Sequence, residues 1–364
     1  MTYFRLVPLL WRRRRLRFEC RRRLSDWRKN AGIVKTADCV INLFWQLFFG
    51  FHGLLLICLA IHYIQKMFLS IWHYLHTTFF RYWLKWLIRQ VTGKCELQRI
   101  FHSFIQGATR AIKTEYSLEA SKSKVLRDAL QAKEDTVDNH ITQIVKQKKI
   151  QLEKDAEFKV NLKVCLLQIC GYKKLMKNVE DLRKQVFDSE NDEHEALLMK
   201  LWKLLMPNVE LDSRISKQWG DIGFQGDDPK TDFRGMGMLG LANLVFFSEH
   251  YPEVARQVLS HSNHPKLGYS YAIVGINLTE MAYSLLSSGA LKPHFYNLVP
   301  GSPQLEHFQR FYSYLVYEFD KFWFQEEPES IMLFNQYREK FHEKVKRLLQ
   351  QPSVLLVLTL DSEI

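Results

Sequence analysis

The stretch WGDIGFQGDDPKTDFRGMGMLG, Trp219 to Gly240, decides between two fold classes. It ends in Gly235-x-Gly237-x-x-Gly240, the spacing of a dinucleotide-binding turn. Such a turn works where a buried strand feeds it and its amides face a pyrophosphate at a helix N-terminus. Here DPKTDF comes first, a run of turn formers and charge with no strand pattern. The glycines instead suit close approach between helices, and the dinucleotide-binding reading is set aside.

Outward from this stretch the periodicity is helical. EFKVNLKVCLLQICGYKKL places Phe158, Leu162, Cys165, Leu166 and Ile169 on one face. SENDEHEALLMKLWKLLMP opens on Ser189-x-x-Asp192, a capping-box variant, and stops at Pro207. LGLANLVFFSEHY is apolar nearly all round, which predicts a central helix. YSYAIVGINLTEMAYSLLSSG ends in Gly289, a C-cap signal. LEHFQRFYSYLVYEFDKFWF aligns Leu305, Phe308, Tyr312, Leu315, Phe319 and Phe322. After Pro328, Ile331, Phe334, Phe341, Val345 and Leu348 are expected inward. VLLVLTL reads as a short strand or a tail, and residues 104–156 as helices and linker lying on a surface. The expected fold class is all-α.

The net charge of +12 suggests nucleic acid until its distribution is read. Residues 1–39 carry twelve Lys and Arg against three acids, and residues 40–100 six against one. That is +9 and +5, so residues 101–364 come to −2 by subtraction from +12. With no nucleic-acid-binding signature present, the charge belongs to an N-terminal arm, and no nucleic-acid partner is expected. In that arm WRRRRLRFECRRR holds eight arginines. Val40–Ile64 follows, 25 residues with no formal charge, long enough to span a bilayer. Next, Met67–Gln90 sets Arg81, Lys85 and Arg89 as a basic stripe on an aromatic cylinder, the composition of an in-plane interfacial helix. Trp72, Tyr74, Tyr82, Trp83 and Trp86 are residues that favour the headgroup region. Spanning by Val40–Ile64 alone would place the main domain across the membrane. Three arrangements avoid this: a re-entering hairpin, a surface-lying first segment, or an alternative start at Met67.

Cys20, Cys39, Cys58, Cys95, Cys165 and Cys170 form no CxxC and no zinc spacing, so free thiols are expected. No metal site is expected. GxxxxGK[ST], GxSxG and HExxH are absent. His261 and His264 read as loop residues, and the Asn277-Leu-Thr279 sequon as buried in a helix.

What remains is the segment Trp219–Gly235 itself. Gly226-Asp227-Asp228-Pro229 is a turn whose acids are free to cap backbone amides. Trp219 and Phe224 anchor it in the core, and Thr231 or Asp232 is placed to cap the next helix. Two roles are open to Arg234: pairing with Asp227, Asp228 or Asp232, or serving a partner molecule.

The pattern Trp219-x3-Gly223-Phe224-Gln225-x3-Pro229-x-Thr231-Asp232-Phe233-Arg234-Gly235-x3-Leu239 resembles the signature of the ELMO domain. The likeness extends from about Met67 to Leu358 and leaves residues 1–66 outside. It implies a GTPase-activating protein for Arf and Arf-like small GTPases. In that case the chain is an enzyme activator, not an enzyme, and Arg234 is the catalytic arginine supplied in trans. It also implies that the aspartates hold the guanidinium extended before the partner arrives. GTP and Mg2+ would belong to the GTPase, so no cofactor of the chain's own is expected. The resemblance further implies a cytosolic domain on the endoplasmic reticulum, lipid droplets, mitochondria or Golgi. The alternative it leaves open is a non-catalytic binding module or scaffold that docks a small GTPase at a membrane. The expected organisation is a basic arm (1–39), a transmembrane or membrane-surface helix (40–64), an amphipathic aromatic and basic helix (65–92), a helical linker region (93–156) and the ELMO domain (157–358).

Overall fold

The computed structural model describes residues 61–75, 80–103 and 107–359. Every regular element among them is helical. Residues 61–75 are helical, followed by α1 (Arg81–Thr92), α2 (Glu96–His102), α3 (Gly107–Glu119), α4 (Lys124–Asp128), α5 (Val137–Lys148) and α6 (Ala156–Lys184). Then come α7 (Asp192–Leu205), α8 (Gly237–His250), α9 (Pro252–Ser262), α10 (Tyr271–Ser287), α11 (Lys292–Leu298), α12 (Leu305–Glu326) and α13 (Phe334–Leu349).

Two compact units divide the chain, Met1–Ile88 and Arg89–Ile364. In the first, Tyr63, Phe68, Leu69, Trp72 and Tyr74 stand exposed along the helical residues 61–75. The basic arm lies outside the described residues, as does the 40–64 segment apart from residues 61–64. Among the described residues no helix is long and apolar enough to cross a membrane, so a membrane-directed region rests on the sequence alone.

The second unit is organised around α8. This helix is apolar on nearly every face, and it packs against α6, α7, α9, α10 and α12. Small residues allow the closest crossing. A Cβ on Gly275 of α10 would meet Leu244 Cδ2 at 2.5 Å and the Tyr312 hydroxyl at 2.9 Å. One polar pair is sealed inside this crossing: Asn243 Nδ2 donates to Thr279 Oγ1 at 3.3 Å, with both residues buried. The sequon threonine is therefore in the core, as expected. Gly289, with φ +81, lies just beyond α10 and lets the chain turn away.

Several expectations are corrected. Of the segment 104–156, expected on a surface, the described residues 107–156 contribute to the core: Ala111, Leu118, Val137, Ile141 and Ile144 are buried in the same cluster as α6 and α8. Lysine and glutamate on their outer faces hide that pattern. The N-cap of α7 is Asn191, not Ser189, and its side chain accepts from the amides of Glu193 and His194. A 3-10 turn over Ile331–Leu333 precedes α13, and Ile331 is exposed, against expectation. Phe341 and Val345 are buried as expected, Phe334 and Leu348 pack half-buried against the core, and Leu349 is buried with them. His261 ends helix α9, and its Nδ1 lies 2.7 Å from the buried Asp320 carboxylate. Of the two readings of VLLVLTL, residues 354–359 follow the tail, with Val354 and Leu356 buried.

That tail closes the unit. Asn297, on α11, donates from Nδ2 to the carbonyls of Pro352 and Val354 at 2.9 and 3.1 Å. Its Oδ1 accepts from the Ala108 amide at 2.9 Å. Gly107 sits so close to this amide group that a Cβ there would lie 2.6 Å from Oδ1, and its φ of +59 also favours glycine. His294 joins the same seam through Nδ1, which accepts from the Leu356 amide at 3.1 Å. Burial holds its imidazole down to a pKa of about 4.

Candidate functional site

The site is the connection between α7 and α8. Two 3-10 turns shape it, Lys217–Ile222 and Pro229–Arg234. Aromatic side chains nail both turns to the core. Trp219 is completely buried, 5.4 Å from the Trp202 ring of α7 and 5.8 Å from Phe224, edge-on to each. Phe233 lies 5.5 Å from Phe187 with the rings tilted, and Phe224 meets Phe233 edge-on at 5.6 Å. Such edge-on contacts add to area burial by setting the angle between rings. The Trp219 indole donates to the Arg214 carbonyl at 2.9 Å, so its polar edge is satisfied.

Gly223 is where the loop touches the next helix. Its φ is +82, and a Cβ would meet the Tyr271 amide nitrogen at 2.3 Å. The Gly223 carbonyl accepts from the Ile273 amide at 3.3 Å, in the first turn of α10. Only glycine gives both the left-handed backbone and the clearance.

The second turn carries the arginine. Asp228 is its N-cap, accepting from the Lys230 amide at 3.0 Å, and the buried Pro229 occupies the first helical position. Asp232 Oδ2 accepts from the Gln225 amide at 2.9 Å and closes the loop on itself. Neither Thr231 nor Asp232 caps α8, whose N-cap is Met236 without a side-chain bond. The Gln225 side chain is exposed, and Leu239 is buried in the first turns of α8.

Arg234 pairs with none of the three aspartates. Among the described residues its one hydrogen bond runs from Nε to the Thr231 carbonyl at 2.8 Å, and the side chain is exposed. The cation that does neutralise an aspartate is Arg214. It bonds Asp228 through Nη1 at 3.0 Å and Glu195 of α7 through Nε. These two carboxylates raise the pKa of its guanidinium against the opposing pull of burial. Arg214 thus ties the arginine-bearing turn to α7. The sequence reading missed it because the charge comes from residues distant in the chain. The serine-rich SRIS around it carries no motif.

Gly237 explains the glycine spacing. With φ +52, it brings the start of α8 against the end of α6, and a Cβ there would lie 2.4 Å from the carbonyls of both Arg183 and Gln185. The Met238 amide bonds the Gln185 carbonyl at 2.8 Å. Of the three glycines, Gly237 serves the close approach that the sequence predicts, whereas a Cβ on Gly240 would make only ordinary contacts of 3.5 Å or more and one on Gly235 would meet nothing within 4 Å.

Among the described residues no cluster of three or more His, Cys, Asp or Glu could hold a metal ion. Cys95, Cys165 and Cys170 are buried free thiols, and burial pushes the Cys165 thiol up to about 11.

Comparison with known proteins closes the identification. The ELMO/CED-12 family profile matches residues 177–338, which include the whole arginine loop and helices α7 to α12. The chain is 65% identical over 292 residues to human ELMO domain-containing protein 2, covering 80% of this chain and 99% of that one. Human ELMO domain-containing protein 1 is 47% identical over 316 residues, covering 80% of this chain and 95% of the relative. ELMO domain-containing protein B of Dictyostelium discoideum is 38% identical over 270 residues, covering 72% and 93%. No solved structure matches. A loop pinned by aromatic rings, an arginine left outside its own acid cluster and likeness over most of the chain lead to one conclusion: the protein belongs to the ELMO/CED-12 family of GTPase-associated regulatory modules.

Proposed function

We propose that the protein is a GTPase-activating protein for Arf or Arf-like small GTPases, with Arg234 as an arginine finger supplied in trans. The observation that carries this reading is the state of Arg234. It is an exposed cation that pairs with none of Asp227, Asp228 and Asp232 and is bonded to a backbone carbonyl only through Nε. Both terminal nitrogens are left for a partner. In GTP hydrolysis water attacks the γ-phosphorus and the bond to the β-phosphate oxygen breaks. Charge then builds on the phosphate oxygens, and a planar guanidinium can bridge them with two donors. The aspartates do not hold the guanidinium directly. Asp228 and Asp232 fix the turn beneath it, so the side chain leaves a rigid base. In this reading GTP and Mg2+ reside on the GTPase, and the chain needs no cofactor of its own.

The exposed aromatic residues of the 61–75 helical stretch, with Trp83 and Trp86 of α1, support a second part of the proposal. They would bring the domain to the cytosolic face of an intracellular membrane: endoplasmic reticulum, lipid droplet, mitochondrion or Golgi.

Single-turnover hydrolysis tests the first part. Arf and Arf-like GTPases loaded with GTP are mixed with the full chain or with Arg234→Lys. Lysine keeps the charge but not the fork, so acceleration should fall by about 10³-fold or more. An Arg234→Lys protein as active as wild type rules the finger out. Binding to the GTP form without any acceleration would identify a docking module instead.

A further inference from the structure

Gly235 follows the arginine and differs from the other glycines of the loop. Its backbone is ordinary right-handed helical, φ −79 and ψ −44, a conformation open to any residue. A Cβ built on it meets nothing within 4 Å. Gly223 and Gly237 are demanded by positive φ and by backbone at their Cβ positions; nothing inside the fold demands Gly235. A glycine of this kind suits close approach by another molecule's surface.

The neighbouring segment continues that surface. Residues 185–189 run beside 230–238 in opposite directions. Gln185 meets Met238 through a backbone bond of 2.8 Å, Phe187 meets Phe233 ring to ring, and Lys230 Nζ donates to Ser189 Oγ at 3.1 Å. Alternation along this segment turns Phe187 inward and Val186 outward. Val186 is 75% exposed, far more than an apolar side chain next to a rigid loop needs to be.

We infer that Val186 and Gly235 form a docking ledge for the partner GTPase, the partner's surface resting on the bare backbone at Gly235 and on the Val186 side chain. The inference rests on the reading of Arg234 as the finger. Reach supplies the physical reason for choosing this occupant. An arginine extends no further than its own side chain, so a phosphate it touches in a partner's cleft brings that partner's surface down onto the adjacent backbone. A side chain at 235 would stand in that gap.

The test uses the full chain as wild type, Gly235→Ala, Gly235→Val, Val186→Asp and Arg234→Ala, each first checked for an unchanged unfolding midpoint. Affinity for an Arf-like GTPase holding a non-hydrolysable GTP analogue is measured, together with the concentration dependence of single-turnover hydrolysis. Gly235→Val and Val186→Asp should raise the half-saturating concentration at least tenfold, with Gly235→Ala in between. Arg234→Ala should lose the saturated rate with a smaller change in affinity. Wild-type affinity in both Gly235→Val and Val186→Asp overturns the ledge and leaves the finger standing. Wild-type binding without acceleration overturns the finger and, with it, the ledge argued from its reach. Failure of the wild-type chain to bind any GTPase of the panel overturns both.

Discussion

At the scale of single residues, the loop separates cations by what surrounds them. Arg214 and Arg234 lie twenty positions apart in the chain, and Arg214 takes the carboxylates of Glu195 and Asp228 while Arg234 takes none. Removing Arg234 should therefore cost the fold little. Arg234→Ala is expected within about 0.5 kcal/mol of wild type in chemical denaturation, while activation of the GTPase is lost. Arg214→Ala should behave in the opposite order. It leaves Asp228 and Glu195 unpaired and half-buried, and should destabilise by about 1–3 kcal/mol, with reduced activation following from a loosened turn. Measuring both variants in one denaturation series checks the contrast; equal destabilisation would show that Arg234 is structurally engaged after all. The motif around Arg234 was legible as residues at fixed spacing. Arg214 was not, because its meaning depends on Glu195, which sits in α7 and meets it only once α7 and the loop have folded together.

At the scale of elements, the aromatic relay from Trp202 through Trp219, Phe224 and Phe233 to Phe187 transfers the rigidity of α7 to the turn. Trp219→Ala should cost about 3–5 kcal/mol, since a fully buried indole leaves a cavity that its ring neighbours cannot fill. Gly223→Ala is expected to cost about 1–3 kcal/mol from backbone strain alone, before the contact with the start of α10 is counted. Thermal unfolding of the two variants reads these effects, and a Gly223→Ala midpoint equal to wild type would mean that this backbone relaxes freely. The long apolar helices were legible because periods near 3.6 persist over several turns. Phe158 to Ile169 in α6 and Phe308 to Phe322 in α12 are buried where the pattern puts them. Helices were expected across α3 to α5, but their burial was not. In α3 the core residues Ala108, Ala111 and Leu118 are small or widely spaced, and in α5 the stripe of Val137, Ile141 and Ile144 is narrow among polar neighbours. Capping was misread for a related reason. Asn191 and Ser189 both precede α7, and only the exit angle of the chain decides between them.

At the scale of the whole molecule, the seam between α11 and the tail sets a pH limit on stability. His294 is buried and neutral, its Nδ1 lone pair taken by the Leu356 amide. The folded pKa, near 4, is below the ordinary value of 6.5. The unfolded chain thus binds the extra proton first. The contribution is complete above about pH 6.5 and is lost as pH falls toward 4, by about 3 kcal/mol at most. Denaturant midpoints at pH 7 and pH 5 should differ in that direction, and His294→Gln should flatten the difference. A His294→Gln slope as steep as wild type would move the pH sensitivity elsewhere.

Asn297 also has a consequence for the order in which the protein is made. One side-chain amide joins Ala108 to Pro352 and Val354, so a single contact spans almost the full length of the second unit. A ribosome delivers residue 108 long before residue 352. During that interval α3 and α11 can meet, but the groove that receives the tail stays open to water and to other chains. Release of the last segment from the exit tunnel is what seals it. Premature termination just before Pro352 would leave every helix of the unit translated and the arginine loop in place, with the seam unclosed. Such a product is the form a cell's quality control would be expected to find first.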